Sequence, residues 1–449
     1  MAEIQKKPGE QALTIGNTTP PGNTHVDANL DIFTVHVFFD GTGNNRFNTA
    51  SHRTNPRSSP DGSVSYENYY SNIALLFMAM RETDTVKKLY AEGSGTTQGQ
   101  SDDSRGLGLA MGGSGRWTRV SELLHRLNNL VGSRNKANVV INVYGFSRGA
   151  AWARYFCHLL RSTLGGAWVD QKHEEWKKAK INFVGIFDTV SSDGTRHYND
   201  VRELGLDIGK PEGINYIAHL TAQNDYREHF PLTRIRGAIR DGIGFECSFP
   251  GAHSDIGGGY SEIYLETNKA LGRQDRAAQY QGAEYIDYQW FVNKGYYKTE
   301  QITKKMEMSG RDNFIPKLYA NRKTYFHYQF IVGNIMYELA NRRASYQKIS
   351  SSSLERGVND MKKIDLLNRF YSGALAYVLQ NYQKKGGGYH VPILNNPEEM
   401  KTIYNLFIHN SLGYGTIANG GTILSKTRNA DQSYNYSNPI RPQVTEGFR

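Results

Sequence analysis

From residue 33 onward the chain alternates short apolar runs with longer stretches of helical periodicity. Phe33 to Phe39 (FTVHVFF) is apolar at nearly every position and stops at Asp40-Gly41-Thr42-Gly43, which predicts a buried strand ending in a turn. Tyr70 to Met80 reads as a helical run and Val86 to Ala91 as a second strand. Trp117 to Val131 places Val120, Leu123, Leu124, Leu127 and Leu130 on one face of an amphipathic helix. Val139 to Tyr144 (VVINVY) is too short for a helix and feeds GFSRGAAWARYFCHLL, whose Ala150, Ala153, Cys157 and Leu160 follow helical spacing. Ile181 to Phe187 (INFVGIF) is a further apolar strand ending at Asp188, and Ile243 to Phe249 is a late apolar stretch.

This alternation predicts an α/β fold of α/β-hydrolase type, a mainly parallel sheet flanked by helices, with ligand sites beyond the carboxyl ends of the strands. Past Tyr260 the texture changes to Tyr-rich helical segments at Tyr285 to Tyr297, Thr324 to Asn341 and Met361 to Tyr382, with loops expected at Ser350 to Ser353 and Gly386 to Gly388. At 449 residues the chain exceeds one ordinary core. The expected organisation is a flexible arm over 1–30, a catalytic domain over 31–300, and a mainly helical, basic part over 301–449.

Charge sharpens that division. Residues 1–260 carry 28 Lys and Arg against 27 Asp and Glu, whereas residues 261–449 carry 25 against 16. A basic second part suits an anionic partner such as phospholipid, nucleic acid or an acidic protein, and equally a solvated surface. No stretch approaches the roughly 20 apolar residues that span a bilayer. The first 30 residues lack the apolar core and cleavage pattern of a secretory signal, so any export is expected to use another route. Cys157 and Cys247 are far apart and form no CxxC pair, which suggests neither a disulfide framework nor a thiolate metal site. No cofactor or metal is expected.

Gly145-Phe146-Ser147-Arg148-Gly149 is a GxSxG pentapeptide, and no other occurs in the chain. It stands between a strand and a helix of small residues, the context in which the serine occupies a strained turn and the glycines leave room for close approach. A serine hydroxyl becomes nucleophilic only when a base takes its proton, and a carboxylate must orient that base. In this arrangement the acid follows the serine in sequence and the histidine follows the acid. Asp188, at a strand's carboxyl end, is the leading acid. His253, on the glycine-rich loop Pro250 to Tyr260 after the late strand, is the base. Asp255 lies two residues from His253 and is an alternative acid, or a residue that holds the loop through its backbone amides. The oxyanion hole is expected to use the amide of Arg148 with one from Gly41 or Thr42. A phosphate-cradling role for that early loop fails, because no GxxxxGK[ST] sequence is present.

With FFDGTGNN, GFSRGAAWAR, FVGIFDTV and FPGAHSDIGGGY in order, the chain resembles the first family of type VI secretion lipase effectors, bacterial phospholipases built on an α/β-hydrolase domain. The resemblance covers about residues 33 to 300. It implies phospholipase A activity in the periplasm or at the membrane of a rival bacterium, with Ser147, Asp188 and His253 as the triad. It also implies a spike protein as carrier and a cognate immunity protein. Two other readings start from the same residues: an esterase for small soluble acyl substrates, and a non-catalytic binding protein on a hydrolase scaffold whose basic part holds nucleic acid. The intact Ser, Asp and His, and the lack of a nucleic-acid motif, argue against the last, so no nucleic-acid partner is expected.

Overall fold

The computed structural model describes residues 32–60, 63–109, 112–161, 173–191, 201, 204–271, 288–308, 314–412, 424–428, 434–439 and 441–444. The arm expected over 1–30 and the start of the helix expected from Tyr285 lie outside the described residues. The strands are β1 (Phe33–Phe39), β2 (Val86–Ala91), β3 (Val139–Phe146), β4 (Lys180–Phe187), β5 (Ile217–Ala222), β6 (Gly244–Phe249), β7 (Ile263–Leu271), β8 (Ile302–Met308), β9 (Phe314–Tyr325), β10 (Gly386–His390), β11 (Leu424–Arg428) and β12 (Tyr434–Pro439).

Seven of them form one sheet in the order β2-β1-β3-β4-β5-β6-β10, and every pairing in it is parallel. A parallel sheet is covered on both faces, which is why β1, β3 and β4 read as continuous apolar runs. The main helices are α1 (Asn72–Ala79), α2 (Arg116–Val131), α3 (Arg148–Leu159), α4 (His253–Gly257), α5 (Gln329–Ala344), α6 (Ser353–Lys362), α7 (Asp365–Asn381) and α8 (Pro397–Phe407). On one face Leu123, Leu127, Ala153 and Phe156 of α2 and α3 pack with Val35, Val37, Ile141 and Val143 of the sheet. On the other, Phe38, Tyr144, Phe183 and Phe187 meet Ile73 and Leu76 of α1 and Phe330, Ile331 and Ile335 of α5. Helix α5 is buried around most of its circumference, as a helix inside a core must be.

The division expected near residue 300 falls inside this packing. Leu354, Val358, Leu367, Phe370 and Ile403 of α6, α7 and α8 belong to the same apolar cluster as the sheet, and Ile32–Arg449 forms one compact unit. The second half is also less helical than expected, because β7, β9 and β8 make a three-stranded antiparallel sheet. Gly386 to Gly388, expected as a loop, begins β10 at the edge of the large sheet, where backbone pairing needs no side chain. The run expected from Met361 to Tyr382 breaks at Lys363–Ile364 between α6 and α7.

Candidate active site

The carboxyl ends of β1, β3, β4 and β6 bring the site residues to one edge of the sheet. Ser147 follows β3 and adopts φ 58° and ψ −128°, a region that a non-glycine residue enters only when its surroundings force it. Its N–H donates to the Phe187 carbonyl (3.1 Å), and its own carbonyl accepts from Val190 N–H (3.3 Å), so the elbow is laced to the end of β4. The flanking glycines are required by contact. A Cβ on Gly149 would stand 2.3 Å from the Asp40 carbonyl oxygen and 2.5 Å from that of Phe39, and one on Gly145 would stand 2.5 Å from the Gly149 carbonyl oxygen. The first turn of α3 thus rests directly on the end of β1.

Asp188 also has positive φ, at 38°, and is fully buried. Its Oδ2 accepts from His253 Nδ1 at 2.6 Å and from Arg441 Nη2 at 3.0 Å, and its Oδ1 accepts from the Ala222 N–H at 2.8 Å. Burial alone would raise the carboxyl's pKa. The Arg441 charge and the His253 hydrogen bond outweigh it and hold Asp188 below the ordinary range. For His253 the balance is opposite: burial lowers its pKa more than Asp188 raises it, leaving a neutral imidazole favoured. With Nδ1 donating to Asp188, Nε2 is the basic nitrogen, and it is buried without a hydrogen-bond partner among the described residues. The His253 ring lies, centroid to centroid, 4.6 Å from Phe146, the residue before Ser147, and 5.2 Å from Phe230 in an edge-to-face arrangement.

Asp255 is directed elsewhere. Its Oδ1 accepts from His409 Nδ1 (2.7 Å), and its Oδ2 accepts from the backbone N–H of His409 (3.0 Å) and of Ala252 (2.8 Å). It therefore holds the backbone on both sides of a seam between α4 and the segment after α8. The early loop also divides its two candidates. The Gly41 amide donates to Asp40 Oδ1 at 2.8 Å, so Gly41 would have to break that bond to hold an oxyanion. Thr42 is the other candidate donor from this loop. Arg148 opens α3, where first-turn amides look for acceptors outside the helix, and its guanidinium reaches back to the carbonyls of Gly106 and Leu107.

Three supporting residues escaped the sequence reading. Asp225 Oδ2 accepts from the His253 backbone N–H (3.1 Å) while its carboxylate takes Arg227 in a fork (2.6 and 2.9 Å). Asp40 binds Ser71 Oγ (2.5 Å) and Tyr90 OH (2.6 Å) beneath the early loop. Arg441 reaches Asp188 from the far end of the chain. For Asp225 the signal was its position just after β5, one strand's end among several; for Arg441 there was none. Among the described residues no group of three or more His, Cys, Asp or Glu side chains is placed to hold a metal ion. Cys157 and Cys247 are buried free thiols, the latter pushed up to about 12 by burial.

Residues 163–292 match the family described as "T6SS, Phospholipase effector Tle1-like, catalytic domain", a span that contains Asp188 and His253 and begins after Ser147. No curated protein matches the sequence. A solved structure of the Tle1 effector bound to the VgrG spike of the type 6 secretion system is similar over 92% of this chain and 92% of that one, with TM-score 0.57 and 20% identity. An uncharacterized protein from Pseudomonas aeruginosa overlaps 51% of this chain and 42% of its own, with TM-score 0.38 and 20% identity. The seven-stranded parallel sheet with helices on both faces is the α/β-hydrolase arrangement, and residues 163–292 within it match the Tle1-like catalytic domain of the type VI secretion phospholipase effectors.

Proposed function

We propose that the protein hydrolyses an acyl ester of membrane glycerophospholipids, as a phospholipase A, through Ser147, His253 and Asp188. The observation that carries this reading is the strained Ser147 elbow, whose preceding residue Phe146 packs on a buried imidazole with its Nδ1 held by Asp188. His253 Nε2 takes the Ser147 hydroxyl proton as Oγ attacks the ester carbonyl. The resulting oxyanion is held by the amides of Arg148 and Thr42, and the protonated His253 hands its proton to the departing alcohol of the lysophospholipid. Water, deprotonated by the same nitrogen, then releases the fatty acid and regenerates Ser147. Asp188 stays ionised throughout and stabilises the imidazolium.

A membrane substrate fits a second observation. The sheet formed by β7, β8 and β9 exposes Ile263, Leu265, Met306 and Met308, with Leu265 66% and Met308 64% exposed, alongside exposed Lys304, Lys305 and Lys323. By register Ile263 and Leu265 share one face with Lys323, and Met306 and Met308 share the other with Lys304, so exposed apolar and basic side chains stand together on each face, a combination that suits an anionic lipid surface. No helix among the described residues is long and apolar enough to cross a membrane. Carriage by a VgrG-like spike, action in the periplasm of a target cell and neutralisation by an immunity protein complete the proposal, by analogy with the Tle1 effector solved on its spike.

The test is product analysis with positionally labelled phospholipid vesicles. Wild type is expected to release fatty acid and Ser147→Ala to lose on the order of a millionfold in rate. Hydrolysis by Ser147→Ala at the wild-type rate sinks the assignment, and preference for a short soluble ester over vesicles moves the substrate to small acyl esters.

A further inference from the structure

Asp188 is the only carboxylate hydrogen-bonded to the His253 ring among the described residues, and it is itself bonded to a guanidinium that no motif announces. Arg441 stands 253 positions further along the chain. It arrives on a short extended segment, 441–444, that pairs with the chain just beyond the site: Leu232 N–H donates to the Pro442 carbonyl (2.9 Å) and Val444 N–H to the Leu232 carbonyl (3.0 Å). Leu232 also bridges Val190, two residues past Asp188, and Val444 is buried against Val201, Leu204 and Leu206. Both ends of the segment are therefore fixed. The Arg441 side chain is 8% exposed against a fully buried Asp188.

We infer that Arg441 is a positioning residue of the triad: carried back by the C-terminal segment, it holds Asp188 ionised and aimed at His253, and so sets the pH at which His253 can act as a base. The inference rests on the proposed roles of Ser147, His253 and Asp188.

The electrostatic logic is local. A buried carboxylate without a cation either stays protonated or costs several kcal/mol. Around the pair, His253 faces Asp188, Asp225 and Arg227, Asp188 faces His253, Arg441 and Arg227, and Arg441 acts on Asp225 as well as on Asp188. Arg227 is spent on a forked pair with Asp225, whereas the Arg441–Asp188 contact is direct. Removing Arg441 therefore moves both groups in one direction. Asp188 becomes harder to ionise, and the His253 imidazolium, relieved of a nearby positive charge, becomes easier to form. Both changes shift the acidic limb of activity to higher pH. A residue that merely anchored the C-terminal segment would lower activity equally at all pH values.

A cavity of about 430 Å³ adds an independent handle. Arg441 lines it with Arg234, Gln223, Ser248 and His390, and Arg441 Nε has no hydrogen-bond partner among the described residues. Truncating Arg441 opens that space onto Asp188, where a free guanidinium ion can enter.

The experiment measures the rate of Ser147 labelling by a fluorophosphonate against pH in the full-length wild type and in Arg441→Gln, Arg441→Ala and Arg441→Lys. Labelling needs neutral His253 but no particular lipid. Arg441→Gln keeps most of the packing stem should the alanine variant fail to fold. The expected result is an acidic limb raised by about half a unit to one unit in the Gln and Ala variants, since an adjacent charge moves a pKa by about 1–3 units and this one acts on His253 partly through Asp188. Arg441→Lys is expected to keep the wild-type limb, and added guanidinium to move the truncated variants back toward it. A limb unchanged in Arg441→Gln, with or without a uniform loss of rate, overturns the inference. Failure of wild type itself to label overturns the hydrolase reading instead, so the two failures are distinguishable.

Discussion

The two carboxylates flanking the candidate base differ in their partners, and exchanging each for its isosteric amide separates their roles. Asp188→Asn keeps shape but removes the charge that Oδ2 presents to both His253 Nδ1 and Arg441. The new amide NH₂ faces donors on either side, and His253 is turned toward the tautomer whose Nε2 carries a proton and cannot accept one. In a serine protease triad the same change costs about 10⁴ in kcat. A loss of about 10³–10⁴ is expected here, equivalent to roughly 4–5.5 kcal/mol of transition-state stabilisation.

Asp255→Asn disturbs no contact to the His253 ring. It weakens bonds to two backbone amides and to His409 Nδ1, which burial keeps neutral. One charged acceptor lost from a buried cluster corresponds to about 1.5–3 kcal/mol of stability. Unfolding entropy for a chain of 449 residues is about 0.9 kcal/mol/K, so melting should fall by about 2–3 °C. The folded fraction should keep kcat/KM within about tenfold of wild type. The assay is ester or phospholipid turnover per active site, with active sites counted by phosphonate labelling, beside a melting curve. The reasoning is refuted by Asp188→Asn retaining more than a tenth of wild-type activity, or by Asp255→Asn losing as much activity as Asp188→Asn with melting unchanged.

Other consequences follow from single contacts. Gly149→Ala drives a methyl group into the Asp40 and Phe39 carbonyls, so the first turn of α3 must lift from β1; activity should fall on the order of 10²-fold with about 1–3 kcal/mol lost in urea unfolding. Burial pushes the Asp40 carboxyl up to about 6 from its ordinary 3.8, against hydrogen bonds from Ser71 and Tyr90 that pull it down. Because the folded state then binds the proton more tightly than the unfolded chain, Asp40 favours folding below about pH 4 and that contribution is lost as pH rises through about 6. The urea midpoint of wild type relative to Asp40→Asn should accordingly drop across that window, and a difference constant with pH would contradict it. Glu266→Gln strips a charge from a buried carboxylate that binds Arg322 (2.6 Å), Lys269 (2.7 Å) and Tyr297 (2.8 Å), and equilibrium unfolding should show a loss of about 3–5 kcal/mol. In vesicle co-sedimentation, Leu265→Asp with Met308→Asp should reduce binding to anionic vesicles while leaving turnover of a short soluble ester unchanged.

What the sequence made legible was whatever depends on neighbours along the chain. β1, β3 and β4 are apolar on both faces, so their strands stand out, and Ser147 and Asp188 directly follow two of them. β5 hides because His219 and Thr221 interrupt its apolar run, yet both are buried: His219 Nδ1 bonds Glu246 (3.1 Å) and its Nε2 accepts the Thr189 N–H (3.1 Å). A polar residue in sequence looks the same whether water or a buried partner satisfies it. β7 and β9 were masked in the same way by charged residues such as Glu266 and Arg322, which neutralise each other inside the fold.

The ambiguity between Asp188 and Asp255 has the same origin. Local spacing favoured Asp255, two residues from His253, while topology favoured Asp188, 65 residues away and at the end of a strand. The helix settles which distance matters: His253 opens α4, its ring facing Phe146 and Phe230, whereas Asp255 sits further round the same turn and points to His409. Two residues along a helix turn the side chain by about 200°, so nearness in sequence there separates groups rather than joining them. The carboxylate that reaches the imidazole has to come from another strand, and the cation that steadies that carboxylate has to come from elsewhere again. The proposed site is thus assembled from five stretches of chain, around Thr42, Ser147, Asp188, His253 and Arg441, and the one that sequence spacing could not connect to the rest brings the guanidinium that pairs directly with Asp188.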